Sequence, residues 1–209
     1  MQFRRSDYDV TNTVQVSSVA SVRKAVEELF QQTWPGGDVA RLTEAFTDFE
    51  RLFQGHYPGY LGCDTVYHDM QHSLDDTLAM ARLLAGYDRT QPPEQRLGAE
   101  RALVALVVAL FHDSGYIRRS DDTQRRNGAE YTRTHVARGA TFLTHYLPGI
   151  GLASWVPVAT QVIHFTGYEV PFKDIRLDDA RDRRVGHLLG TAVMLAQMSD
   201  RCYLEKCRD

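Results

Sequence analysis

The segment Ala102–Phe111 constrains the chain most: ten consecutive apolar residues run directly into the polar pair His112-Asp113. A run of that length is about half of the ~20 residues that a membrane-spanning helix needs, so it predicts a helix buried inside a soluble domain. A buried helix that ends on an imidazole and a carboxylate is costly unless both polar groups are satisfied there. Side by side at a helix end, the two can meet one metal ion, and the carboxylate can bridge to a second.

The segments around this run read with helical period, and strand signals are scarce. Ser18 to Gln32 predicts a first helix, stopped by Trp34-Pro35-Gly36-Gly37. Asp38 is the expected N-cap of a second, running to about Phe53. Gly55 to Gly62 reads as a loop. A third helix is expected from Asp64 or Thr65 to about Ala85, with Leu74, Leu78, Ala81 and Leu84 or Ala85 on one face. Gly86 to Pro93 connects it to a fourth, Glu94 to His112. An arginine-rich loop, Ser114 to Gly128, leads to a fifth helix from Glu130 to Leu147, ended by Pro148-Gly149. Ala153 to Phe165 is the expected sixth, with Pro157 near its start. Thr166 to Asp178 is loop, and Arg181 to Lys206 is the last helix. No change of composition divides the chain. The expectation is one all-α domain of about six to eight helices, with a core over about 64–206 and the N-terminal helices (18–54) packed on it.

Composition narrows the function. Net charge is −3 over 209 residues, and no basic excess points to nucleic acid. The three cysteines, Cys63, Cys202 and Cys207, are odd in number and form no Cys-x-x-Cys pair. They argue against a disulfide framework and against a cysteine zinc site, and for a reducing cytoplasm. Met1 to Thr13 is polar and has no apolar signal core. No membrane partner is expected. Apolar residues of the first two helices have either the domain itself or a second chain to pack against, so a homo-oligomer stays open.

The histidines carry the chemistry. His68 and His72 are four residues apart on the third helix and share a face. Asp200 interrupts the apolar face that ends in Leu195-Ala196-Gln197-Met198, where a carboxylate is expensive unless paired or bound to metal. The ordered set His72, His112-Asp113, Asp200 resembles the H…HD…D pattern of the HD-domain superfamily of metal-dependent phosphohydrolases. The context agrees. Tyr67-His68-Asp69-Met70-Gln71-His72-Ser73-Leu74-Asp75 is similar to the Y-H-N-x-x-H-A-x-D stretch of cyclic nucleotide phosphodiesterases. Ala109-Leu110-Phe111-His112-Asp113-Ser114-Gly115 is similar to the A-x-F-H-D-x-G segment. His135-Val136-Ala137-Arg138-Gly139-Ala140 and Gln161-Val162-Ile163-His164 resemble the additional ligand segments of HD proteins with two metals. Asp69 stands where the phosphodiesterases carry Asn, and Tyr116 stands where the HD-GYP branch carries lysine. The resemblance therefore carries over the centre and not the substrate.

The resemblance implies a metal set of His72, His112, Asp113, His135, His164 and Asp200, holding one or two divalent ions (Mn, Fe, Zn, Mg, Co or Ni), with Asp113 bridging. It implies hydrolysis of a phosphoester by a metal-bridging hydroxide, a chemistry that suits a nucleotide or a similar compound as the expected substrate. His68, one turn before ligand His72, is the expected general acid. Arg138, on the face of His135, and Arg118, just beyond the HD pair, are the expected phosphate-binding cations. The same ligand set is equally similar to HD-fold di-iron oxygenases. A catalytically silent nucleotide-binding module is the second alternative.

Overall fold

The computed structural model describes residues 7–200 and Tyr203. Among them are seven α-helices: α1 (Val19–Thr33), α2 (Val39–Phe53), α3 (Met70–Thr90), α4 (Ala99–Phe111), α5 (His135–Gly149), α6 (Val156–Val162) and α7 (Ala180–Ser199). Among the described residues there is no sheet, only two isolated bridges, Tyr8–Gln15 and Tyr60–Arg119. The all-α expectation is met. No helix among the described residues is long and apolar enough to cross a membrane. Cys202, Cys207 and most of the expected end of the last helix (201–206) lie outside the described residues.

Side-chain caps set most helix starts. Ser18 Oγ accepts from Ser21 N, and Asp38 Oδ1 accepts from Arg41 N, at 3.3 and 3.1 Å. Each satisfies an N–H that the first turn leaves without a partner. For α3 the cap is Asp69, whose Oδ1 accepts from His72 N at 2.8 Å. The helix therefore begins at Met70, later than the Asp64 or Thr65 start expected from sequence, and it runs on through Gly86 to Thr90. Asp64 is engaged elsewhere: it accepts from Gly128 N at 2.7 Å and pairs with Arg118.

The fourth helix also starts later than expected, at Ala99. Pro92-Pro93 opens a 3-10 turn, and Gly98 then takes a positive φ of 80°. Asp88, near the end of α3, locks this corner. It accepts from Leu97 N, Gly98 N and Trp34 Nε1 at 2.7, 3.1 and 2.7 Å. One carboxylate thus ties the ends of α1 and α3 to the beginning of α4. The fifth helix starts at His135 rather than Glu130, because residues 128–131 wind as a 3-10 turn. The expected sixth helix is a short α-helix between two 3-10 turns, Ala153–Trp155 and Ile163–Thr166.

Every residue of α4 from Ala102 to Phe111 is buried, as the apolar run requires. It packs against α2, α3 and α7, while α3 lies between α1, α4 and α7. The two N-terminal helices therefore rest on α3 and α4. Apolar residues of all seven helices join one core. Among the buried polar residues of α3 and of the end of α4 are two histidines and two aspartates, His72, Asp76, His112 and Asp113. They mark the site.

Candidate metal centre

Three backbone junctions bring the site together. The N-terminus of α3 supplies His72 and, one turn on, Asp76. The C-terminal end of α4 supplies His112 and Asp113. The N-terminus of α5 supplies His135. The turn Ser114–Tyr116 presses α5 against the end of α4 through Gly115. A Cβ placed there would lie 1.8 Å from the His135 carbonyl oxygen, so only glycine allows this approach.

Four imidazoles surround two carboxylates. His72 Nε2 lies 3.4 Å from Asp76 Oδ2 and 3.5 Å from Asp113 Oδ2. His112 Nε2 lies 3.2 and 3.4 Å from the same two oxygens. His68 Nδ1 is 2.8 Å from Asp113 Oδ2, and His135 Nε2 is 3.9 Å from Asp113 Oδ1. Among the described residues, two groups are close enough to hold a metal ion: His68, His72 and Asp113, and His72, Asp76 and His112. The inner donors are closed off from solvent. His68, at 29% side-chain exposure, is the open side.

Ring orientation suits coordination. His112 Nδ1 bonds the Ala109 carbonyl, and His135 Nδ1 bonds the Thr132 carbonyl, both at 2.8 Å. A ring whose Nδ1–H is held by a carbonyl presents the Nε2 lone pair, as metal-bound histidines do. The Tyr116 ring stacks on both His68 and His135, with centroids 4.2 and 4.3 Å apart.

The electrostatics favour a cation. Burial alone would push His112 down, but Asp113 and Asp76 outweigh it and push its pKa up to about 9. Burial would raise Asp113, yet His112, His68 and His72 hold its carboxyl far below the usual range. His135 sits farther from the carboxylates, and there burial wins and lowers its pKa. Mixed nitrogen and carboxylate donors without thiolate suit Mn, Fe, Co, Ni or Zn better than Ca.

The structure thus brings together His68, His72, His112, Asp113 and His135 from the expected residues. His164 belongs to neither group. It lies in the 3-10 turn after α6, where burial lowers its pKa and Glu169 opposes the shift. Its Nδ1 is buried without a hydrogen bond. Glu169 accepts from Val136 N and Ala137 N at 2.8 and 3.0 Å and lies 3.8 Å from His135 Nδ1, so it links both histidines. Asp200 also belongs to neither group. It terminates α7, its N–H bonded to Ala196 O, on a cavity lined by Asp9, Asp75 and Arg82.

The two expected phosphate-binding arginines brace the loop beyond the HD pair. Arg138 Nε and Nη2 donate to Gly115 O and Ile117 O at 2.7 and 3.1 Å, and its guanidinium lies over the Tyr131 ring. Arg118 donates to Asp64 and to the Arg125 carbonyl. Asp76 is the site residue that sequence reasoning missed. Its signal was the spacing of four from His72, which puts both on one face of α3.

No protein-family model, no curated protein and no solved structure matches this chain. The site's own geometry therefore carries the functional reading.

Proposed function

We propose that the protein is a metal-dependent phosphohydrolase of the HD kind, acting on a nucleotide or a similar small phosphate ester. The observation that carries this is His68 on the open side of Asp113, 2.8 Å from a carboxylate that the buried His72 and His112 also approach. His72, His112 and Asp113 would hold the ion, with His135 beside Asp113. A divalent ion there lowers the pKa of bound water and offsets charge on a phosphoryl group.

The protein's own part is positioning and proton transfer. Asp113 takes the Nδ1–H of His68, which fixes the tautomer and turns Nε2 outward. Tyr116 holds the ring plane by stacking. A protonated His68 then presents Nε2–H to a leaving oxygen, as a general acid must. Arg118 and Arg138 keep the loop beyond Tyr116 in place. The free Cys63 thiol fits a reducing, cytoplasmic compartment.

The test is a panel of phosphoesters offered to protein loaded with Mn, Zn, Co, Ni or Fe. His68→Asn should cut kcat by about 10²–10⁴-fold, the range of general acid catalysis, while metal content stays. Loss of metal in that variant reassigns His68 as a ligand. No turnover under any metal, with tight nucleotide binding, would make the protein a binding module instead. A second reading rests on one feature. His72, Asp76 and His112 are two imidazoles and one carboxylate, the donor types of non-haem iron oxygenases. Oxygen uptake by iron-loaded protein would favour that reading.

A further inference from the structure

Asp76 is fully buried, at 0% exposure, in the second turn of α3. Neither of its carboxylate oxygens accepts a hydrogen bond. A buried carboxylate in that condition costs several kcal/mol unless a positive charge compensates it. Two imidazole nitrogens stand near, at 3.2 and 3.4 Å. If this were a plain ion pair with a protonated histidine, a ring N–H would point at an oxygen, and none does so with hydrogen-bond geometry. The nitrogens and oxygens instead converge.

The spacing has a meaning. Neighbouring ligands on one ion with bonds of about 2.1 Å stand roughly 3.0–3.4 Å apart. The four separations between His72 or His112 and Asp76 or Asp113 run from 3.2 to 3.5 Å. Asp200, by contrast, faces the cavity beside Asp9 and Arg82.

We infer that Asp76 is itself a metal ligand, closing with His72, His112 and Asp113 an inner position in the role that the HD pattern gives to Asp200. All four donors are buried. His68 and His135 border the outer side, around the other edge of Asp113. This rests on the metal-centre part of the proposed function and not on its chemistry.

The experiment uses the full chain, stripped with chelator, reloaded with Zn²⁺ and dialysed, with zinc per chain measured by elemental analysis. Asp76→Asn should weaken zinc binding by more than about 100-fold, since loss of a residue that merely supports a ligand already costs 10–100-fold. Asp200→Asn should keep its zinc. Circular dichroism in chelator checks that Asp76→Asn is folded. Asp76→Cys supplies a gain of signal: loaded with Co²⁺, it should show a sulfur-to-cobalt charge-transfer band that wild type and Asp200→Cys lack.

A folded Asp76→Asn that retains zinc like wild type overturns the inference, as does loss of zinc from Asp200→Asn alone, or no new band in Asp76→Cys. The outcomes separate from those of the hydrolase reading. Wild type that binds no divalent metal sinks both. Phosphoester turnover with zinc retained in Asp76→Asn sinks only the role of Asp76. Zinc that depends on Asp76 without any turnover sinks only hydrolysis.

Discussion

Replacing Gly115 with alanine tests how the site is assembled. The new methyl carbon would stand 1.8 Å from His135 O, 2.6 Å from His135 C and 2.8 Å from Gly139 N, whereas real Cβ atoms keep 3.0 Å or more from such neighbours. The obstacle is the backbone of the first turn of α5, where the His135 carbonyl is bound into the helix. It cannot swing away as a side-chain tip can. The first turn of α5 must retreat from the end of α4 by about 1.2 Å, the shortfall against that 3.0 Å limit. Overpacking of this kind costs about 3 kcal/mol at the upper end of its usual range. For a chain of this size that lowers Tm by roughly 6–12 °C.

The functional effect should exceed the thermal one. The retreat carries His135 away from Asp113, strains the Arg138–Gly115 bond of 2.7 Å and loosens Tyr116. A displacement of about 1 Å in a catalytic constellation costs on the order of 100-fold in rate. The assay is a melting curve, zinc content and phosphoester turnover on one preparation. An alanine variant that melts within about 2 °C of wild type with full zinc and full turnover would refute the reasoning, because α5 would then not be seated on Gly115.

Other substitutions probe the supports around the centre. Asp88→Ala leaves the donors of Trp34, Leu97 and Gly98 unpaired in a buried corner and should lower unfolding free energy by about 3–5 kcal/mol, read from denaturant titration. Arg138→Ala should cost about 2–3 kcal/mol through two carbonyl bonds and the Tyr131 contact, with KM for a phosphoester little changed; a KM rise without loss of stability would return Arg138 to phosphate binding. Chelation of metal-loaded protein should lower Tm, because an ion at 1,000 times its Kd adds about 4 kcal/mol.

Asp9 gives the pH dependence. Burial would raise its carboxyl, but bonds from Thr11, Val14, Arg82 and Thr13 outweigh it and hold its pKa below the ordinary 3.8. The group binds fewer protons folded than unfolded, so its contribution is complete above pH 3.8 and fades as pH falls further. Asp9→Asn should therefore be less stable than wild type at pH 7, with the gap closing below about pH 3.8 in acid unfolding curves.

Helices proved legible in the chain where a single cap decides the start. Asp38 caps α2 as read, and Ser18, read as the start of the first helix, is the cap of α1, which begins one residue later. At α3 two aspartates compete, and choosing Asp69 over Asp64 depends on Gly128 and Arg118, which are distant in sequence. The His112-Asp113 pair was legible because a polar pair after ten buried residues needs a partner. Asp76 was not, since of the adjacent pair Asp75-Asp76 in the second turn of a helix either carboxylate looks the same whether it faces solvent or a cluster. Arg138 shares a face with His135 as expected, but the destination of its guanidinium is set by the turn at Gly115, which periodicity does not encode.

The enclosure of α4 also bears on how the site moves. A helix with apolar neighbours on every side cannot fray inward, and its amides from about Leu103 to Phe111 should exchange with deuterium only through global unfolding. His112 and Asp113 hang from the end of that element, and Asp76 and His72 lie on the helix packed beside it. The inner donors therefore share the slowest motions of the molecule. His68 belongs to none of the helices, since it precedes the Asp69 cap of α3. The open side of the centre therefore hangs on the segment before that cap, whose motions are those of a loop and not of the core.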